Sequence, residues 1–186
     1  SLVSGNNYRI YDEMRDDDQI KVVLSFKKDM VVNSGWSIIC ENEEIRDEVS
    51  KNLKDDLSQP FEDILRDILS SYDYGFSISE PIYELEASRY RWKSIKTRPP
   101  HTFLFDLDQF GTIKAIIQNT QSGDVSHQAD DLLHHVYQQS FLNPYGKSDL
   151  KGAHTAWKAK KFIFRMMAIY LEKFATPLVV GKYKST

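Results

Sequence analysis

The sequence feature that most constrains the fold is a long amphipathic pattern near the C-terminus. Residues 148–174 contain no proline, and Ser148 or Asp149 can cap a helix there that would be roughly 40 Å long at about 1.5 Å per residue. Its apolar side chains alternate at three and four residues, with Lys160 as the one polar intrusion: Leu150, Ala153, Trp157, Phe164, Met167, Leu171 and Phe174. A long helix with so narrow a stripe usually packs against another long helix. We therefore predict that it stops before Pro177 and that it forms a subunit interface through Leu150, Trp157, Phe164 and Leu171.

The N-terminal region favours helices. Residues 17–32 follow a run of aspartates that can cap a helix, and their apolar side chains fall at helical spacing: Ile20, Val23, Leu24, Met30 and Val31. Residues 43–57 carry a narrower apolar stripe, and residues 61–72 carry the clearest helical pattern, which a glycine ends. Between these helices, β-branched and aromatic side chains predict a short strand over residues 36–40.

The middle of the chain favours β-structure. Strict alternation predicts a strand over residues 76–80, whose pairing we expect Pro81 to limit. Further strands are predicted at residues 103–105, 112–117 and 132–137, joined by turns that contain glycine. Amphipathic helices, a β-rich middle and a long C-terminal helix together predict an α+β fold.

Charge and cysteine content exclude several classes of protein. The formal net charge is -3 and the pI is near 6.0, which argues against a protein that holds nucleic acid by bulk electrostatics. Cys40 is the only cysteine, so an internal disulfide and a multi-cysteine zinc site are excluded, and a reducing compartment is favoured. The longest apolar run, residues 166–171, is far shorter than the roughly 20 residues that cross a bilayer. No membrane segment is predicted.

Asp106 and Asp108 form an acidic pair that could carry chemistry. After an apolar strand, two such carboxylates can hold a divalent metal or supply a nucleophile, so a metal-dependent nuclease or hydrolase is one alternative. We favour a hairpin turn, because the segment from Asp108 ends in Gly111, and such a turn needs a glycine there. No phosphate-binding loop accompanies the pair. No catalytic residue, metal or cofactor is expected.

The histidines do not indicate a metal site. His134 and His135 are neighbours in a predicted strand, so their side chains point to opposite faces, and we expect one to be buried and the other exposed. His101, His127 and His154 lie in different predicted elements, and none has the spacing of a zinc motif.

Basic residues concentrate on the predicted long helix. Four of them are candidates for contact with DNA phosphates: Lys158, Lys160, Lys161 and Arg165. A DNA-binding adaptor that uses this helix is therefore a second alternative. The commoner explanation of such a cluster is a solvated helix face with salt bridges to neighbouring subunits.

Several segments resemble those of Mu-like bacteriophage portal proteins. The family's opening helix is similar to Tyr11-Asp12-Glu13-Met14, and residues 32–36 resemble the end of that helix before a tryptophan. Residues 61–65 resemble the next helix, and the strand after it resembles Tyr74-Gly75-Phe76-Ser77-Ile78-Ser79-Glu80.

The second half of the chain extends the resemblance. Residues 95–106 are similar to the family's run that ends in phenylalanine and aspartate, and residues 157–162 lie in the helix expected next. The most specific segment is Asn143-Pro144-Tyr145-Gly146-Lys147-Ser148-Asp149-Leu150. Residues 170–174 and 177–183 close the block as in the family, so the resemblance spans nearly the whole chain.

The resemblance implies a structural protein and not an enzyme. Portal subunits form a homo-oligomeric ring, typically dodecameric, at one capsid vertex. The ring docks the terminase, contacts capsid and head-tail connector proteins, and lets double-stranded DNA pass during packaging and ejection. The implied location is the virion, and the host bacterial cytoplasm during assembly. A slightly acidic chain suits weak contact with the passing DNA.

We expect three regions in one continuous fragment of a portal subunit. Residues 1–90 would form a helical, wing-like α+β region, residues 91–142 a β-rich hairpin region, and residues 143–186 the long helix with a terminal strand at residues 178–181. Because the sequence lacks an initiator methionine and stops directly after that strand, we expect both ends to be cut.

Overall fold

In the computed structural model, the described residues are 8–86, 89–174 and 181. The chain divides into two units, Ser1–Lys151 and Gly152–Thr186. The first is called the body here and the second the C-terminal segment. Pro177 and most of the predicted terminal strand lie outside the described residues.

Among the described residues, five α-helices precede the first strand. They are α1 (Tyr8–Arg15), α2 (Asp18–Val32), α3 (Glu43–Lys51), α4 (Phe61–Ile68) and α5 (Ser71–Tyr74), with a π-helical turn at Asn52–Asp56 after α3. Asp17 caps α2, because its carboxylate accepts hydrogen bonds from the backbone N–H groups of Gln19 and Ile20. The three helices predicted for this region are confirmed, the third of them as α4 and α5 separated by a turn.

In the described part of the chain, six strands form two antiparallel sheets. They are β1 (Phe76–Glu86), β2 (Arg89–Arg98), β3 (Phe103–Leu107), β4 (Ile113–Thr120), β5 (Gly123–His127) and β6 (Leu133–Val136). One sheet has the order β2-β1-β6 and the other β3-β4-β5. The main hydrophobic core draws on both sheets through Phe76, Ile78, Phe103 and Ile116, and Leu132, which directly precedes β6, completes it. The last helix, α6 (Asp149–Phe174), completes the predicted α+β fold.

Residues that follow α3 cover the outer edge of β2. The Asn52 amide accepts from the backbone N–H of Trp92 at 3.2 Å and donates to the carbonyl of the same residue at 3.1 Å. The backbone N–H of Ser58 donates to the carbonyl of Lys93 at 3.0 Å. These bonds occupy backbone groups that an exposed edge strand would offer to another chain.

The strand predicted over residues 36–40 is wrong. Residues 35–40 have no regular structure, and Trp36 packs edge-to-face on Phe61 at 5.0 Å between ring centroids. A strand needs a neighbour for its backbone groups, and neither sheet includes this segment among its pairs. The apolar and β-branched residues here serve side-chain packing instead.

The middle of the chain is as β-rich as predicted, although no strand was predicted over the residues of β2, and two further differences concern β1 and β5. β1 continues through Pro81, which lies opposite Ile95, as far as Glu86. The pairing of β1 with β6 ends at Ser79, so at Pro81 the only neighbour of β1 among the described strands is β2. A proline, which lacks a backbone N–H, is tolerated at such an edge position. The second difference is β5, whose polar sequence showed no apolar alternation.

Candidate functional site

The start of α6 is anchored by a buried serine. The Ser148 hydroxyl accepts a hydrogen bond from the backbone N–H of Leu150 at 3.0 Å, which is the capping role predicted from the sequence. The same hydroxyl donates to the backbone carbonyl of Asp73 at 2.5 Å. Leu150 itself is buried. The cap therefore joins the first turn of α6 to the end of α5.

Two glycines let the backbone cross closely at this point. Gly75 ends α5 with a φ of 97°, and a Cβ there would lie 2.4 Å from the carbonyl oxygen of Tyr145. Gly146 has a φ of 56°, and its Cβ would lie 2.2 Å from the carbonyl oxygen of Gly75. Real Cβ atoms essentially never approach so closely, so neither position accepts a side chain without a shift of the backbone. Both glycines belong to segments that carry the portal resemblance.

Asp73 connects this crossing to the first two helices. Its side chain is 1% exposed, and one carboxylate oxygen contacts Arg15 Nε at 3.0 Å and Lys28 Nζ at 2.8 Å. The other oxygen is buried without a hydrogen-bond partner in the described part of the chain. A buried carboxylate is costly unless it is paired, so both cations are needed to hold it there.

Lys27 makes a second connection between α2 and the start of α6. Its Nζ contacts the Asp149 carboxylate at 2.6 Å and donates to the Tyr137 hydroxyl at 2.6 Å. It also lies 4.8 Å from the centroids of the Tyr72 and Tyr137 rings. Desolvation opposes the charge, but the hydrogen bonds to Asp149 and Tyr137 raise the pKa of Lys27. Within the body, the position of α6 is thus fixed from two sides.

The predicted interface residues separate into two groups. Leu150 and Trp157 are buried within this single chain, whereas Phe164 is 59% exposed and Leu171 is 48% exposed. The spacing of the four residues places them on one face of the helix, but only Phe164 and Leu171 are accessible to another chain. Whether they form a subunit interface stays a prediction.

The exposed part of α6 is unusually apolar. Nine large apolar side chains are exposed between residues 162 and 174: Phe162, Ile163, Phe164, Met166, Met167, Ile169, Tyr170, Leu171 and Phe174. At about 100° per residue they cover most of the circumference, and a helix that is apolar on most sides is usually buried. No helix among the described residues has the length and hydropathy to span a membrane.

The four candidate DNA-contact residues do not share one face. By helical spacing, Lys158, Lys161 and Arg165 lie on one side of α6, and Lys160 lies on the other. Lys160 Nζ is 5.9 Å from the centroid of the Phe164 ring, and Lys161 Nζ is 4.4 Å from that of Trp157. Three residues rather than four could therefore contact one phosphate backbone together.

Asp106 and Asp108 belong to one β-hairpin, with Asp108 in its turn, which is the interpretation favoured from the sequence. One oxygen of Asp108 accepts from the backbone N–H groups of Phe110 and Thr112, each at 2.8 Å. Gly111 takes a φ of 85°, which is the left-handed conformation that the turn requires. Asp106 lies in β3 opposite Ala115. Nothing in this geometry favours a metal-dependent hydrolase, and the described residues include no cluster of three or more potential metal ligands.

The histidines of β6 point to opposite faces, as predicted. His134 is partly buried, and its Nε2 donates to the backbone carbonyl of Pro144 at 2.9 Å. His135 is exposed, and its Nδ1 lies 2.9 Å from the Ser71 hydroxyl. Burial lowers the pKa of His134. The hydrogen bond to Pro144 acts in the opposite direction, and the neighbouring His135 lowers the pKa further. Both side chains hold the β6 region in place.

An exposed apolar helix segment of this size is typical of a protein that assembles with other chains, and an assembly subunit is the class of protein that this site indicates. The family is given by comparison: residues 8–186 match the model of the family described as the portal protein of Mu bacteriophage. The chain belongs to that family, and its role is that of a phage portal-type structural protein. No curated protein matches the chain.

Proposed function

We propose that this chain is part of a subunit of a portal ring, through which double-stranded DNA enters and leaves the capsid at one vertex. The observation that carries the proposal is the family match over residues 8–186. Portal proteins are capsid-associated structural proteins of the virion. We infer the remaining parts of the proposal: the ring, its typical copy number of twelve, the passage of DNA, and the contacts with terminase, capsid and head-tail connector proteins. Assembly would take place in the host bacterial cytoplasm.

The exposed half of α6 supports a ring contact. Phe164 and Leu171 lie one heptad apart on the same helix face, and both are exposed in the single chain. Leu150 and Trp157 continue that face but are buried within the chain, so we leave them out of the proposed contact. We therefore place the subunit contact at residues 162–174.

Contact with DNA would be weak and local under this proposal. The whole chain carries a net charge of -3, so it lacks the basic excess that holds phosphates tightly. Lys158, Lys161 and Arg165 form the basic helix face that DNA could touch in passing. We expect no catalysis and no cofactor in this chain. The energy for moving DNA through the ring would come from ATP hydrolysis by a separate protein.

Electron microscopy of the full-length subunit tests the proposal. Closed rings with a central hole are the expected result. Particles without a hole, or a subunit that stays monomeric at high concentration, would reject it. The DNA-binding adaptor is tested on the same sample: it predicts tight binding to duplex DNA that falls steeply with salt, whereas a portal subunit should bind weakly.

A further inference from the structure

A second exposed apolar surface lies on α2, in the body. Val22, Val23, Phe26 and Met30 are each more than 60% exposed. At about 100° per residue they fall within one arc of roughly 100°, so they form a continuous stripe along the helix. These four residues are called the α2 stripe. The opposite side of α2 already supplies buried residues to the body through Leu24 and Val32.

Two different apolar surfaces suit head-to-tail assembly. In a ring, each subunit presents one surface to the neighbour on its left and another surface to the neighbour on its right. The α2 stripe and residues 162–174 of α6 are unlike in sequence, and they lie in different units of the chain. They therefore fit the two halves of one heterologous contact.

The charges of the two units are complementary. Residues 1–151 contain 17 Lys and Arg and 26 Asp and Glu, for a net charge of -9. Residues 152–186 contain 7 Lys and Arg and a single acidic residue, Glu172, for a net charge of +6. A strongly acidic body would attract the basic C-terminal segment of another copy, and opposite potentials also favour the correct orientation on encounter.

We propose that the α2 stripe of one subunit is covered by residues 162–174 of α6 from a second copy of this chain. The inference rests on the proposed ring and names the surface that α6 meets on the neighbouring subunit. The apolar residues supply the buried area, and the flanking charges select the partner.

The order of charges along the two helices also sets their relative direction. Asp16, Asp17 and Asp18 precede the α2 stripe, and Lys158, Lys161 and Arg165 lie before or at the start of the apolar part of α6. A parallel arrangement places the three aspartates beside these basic residues, and apolar beside apolar, with Lys21 the one basic residue between the aspartates and the stripe. An antiparallel arrangement would place the aspartates beside the far end of α6, where the nearest charged residues are Glu172 and Lys173.

Cysteine cross-linking between separate chains tests both the surface and the direction. In a Cys40→Ser background, full-length subunits with Val22→Cys are mixed during assembly with subunits that carry either Ile163→Cys or Tyr170→Cys. Ile163 and Tyr170 are both 61% exposed. They lie on one face of α6 about 10 Å apart along the helix, which makes them a matched pair. We expect oxidation to link Val22→Cys to Ile163→Cys at least several-fold more than to Tyr170→Cys.

The outcomes separate this inference from the ring itself. Rings that form without either cross-link would reject the α2 stripe while leaving the portal ring intact. A stronger link to Tyr170→Cys would overturn the parallel arrangement. A doubly substituted chain that links only within itself would show that α6 covers its own α2. If no rings form at all, the proposed function fails.

Replacing one valine of the stripe gives an independent test. Val23→Glu should reduce ring formation at least tenfold, because it places a carboxylate in the apolar contact. The matched control is Val125→Glu, which changes an exposed valine of β5 in the same way. Equal assembly of the two variants would contradict the proposal, and circular dichroism of each subunit shows that both remain folded.

Discussion

Single residues at the start of α6 decide how the first turn of that helix is held within the body. Ser148, Asp73 and the two glycines belong to segments far apart in the sequence, yet they meet in one place through backbone groups. The sequence could predict the cap at Ser148, because capping is local. It could not predict the contact with Asp73, because nothing in the local pattern indicates which distant carbonyl a hydroxyl will reach.

Gly146→Ala should destabilise the body by more than about 2 kcal/mol. The added Cβ would meet the carbonyl oxygen of Gly75 at 2.2 Å, and the left-handed φ of 56° adds backbone strain. The control is Gly152→Ala, whose Cβ meets nothing within 4 Å and which should stabilise α6 by about 0.5 to 1 kcal/mol. Urea titration of both variants measures the difference, and equal midpoints would show that the crossing is looser than described.

His134 should make the stability depend on pH. Its pKa in the folded chain is lowered from the ordinary value of 6.5, so the unfolded chain binds more protons between the folded pKa and pH 6.5. The contribution to stability is therefore full above pH 6.5 and is lost as the pH falls below it. His134→Gln should flatten the fall in melting temperature over that range. An unchanged slope would mean that other groups cause the dependence.

Among the secondary-structure elements, the bounds of α2 and the start of α6 were predicted within a residue, but the buried face of α2 was not. The 3.6-residue spacing and the cap gave the start of α6 within a residue. On α2, spacing grouped Val23, Leu24 and Met30 as one apolar face, but the structure buries Leu24 and exposes the other two. Periodicity locates apolar residues on a helix but does not say which of them another element will cover. For the same reason, spacing alone could not separate Leu150 and Trp157 from Phe164 and Leu171.

The helix α4 and the turn after it should be sensitive to truncation of their apolar side chains. Leu69→Ala is expected to cost about 2 to 5 kcal/mol, because Leu69 is buried. Leu65 lies on the same stripe but is only partly buried, so Leu65→Ala should cost less. Denaturant titration of both variants checks the order. A loss below about 1 kcal/mol for Leu69→Ala would mean that the site collapses around the missing atoms.

The exposed part of α6 should control assembly and not the stability of the subunit. Phe164→Glu changes a side chain that is already exposed, so the melting temperature of the isolated subunit should hardly change. In a subunit contact the new carboxylate would be buried without a partner, which costs several kcal/mol and should prevent ring formation. Phe110→Glu, at the exposed tip of a hairpin turn, is the matched control. Sedimentation of full-length Phe164→Glu as intact rings would show that this face does not meet a neighbour.

On the scale of the whole molecule, the division of charge is the dominant feature. A body with a net charge of -9 and a C-terminal segment with a net charge of +6 combine to the modest total of -3. The total argues against tight binding of DNA along the whole chain, but it conceals the asymmetry that favours head-to-tail association. The asymmetry was available in the sequence, but it acquires meaning only once the boundary near residue 151 is known.

The most direct test of this account is a single-particle reconstruction of the assembled full-length subunit by electron microscopy. The account predicts a closed ring in which Phe164 and Leu171 lie within about 4.5 Å of side chains of a neighbouring subunit. A ring in which both residues contact only their own subunit would contradict the interface. An assembly with no central passage would contradict the portal function itself.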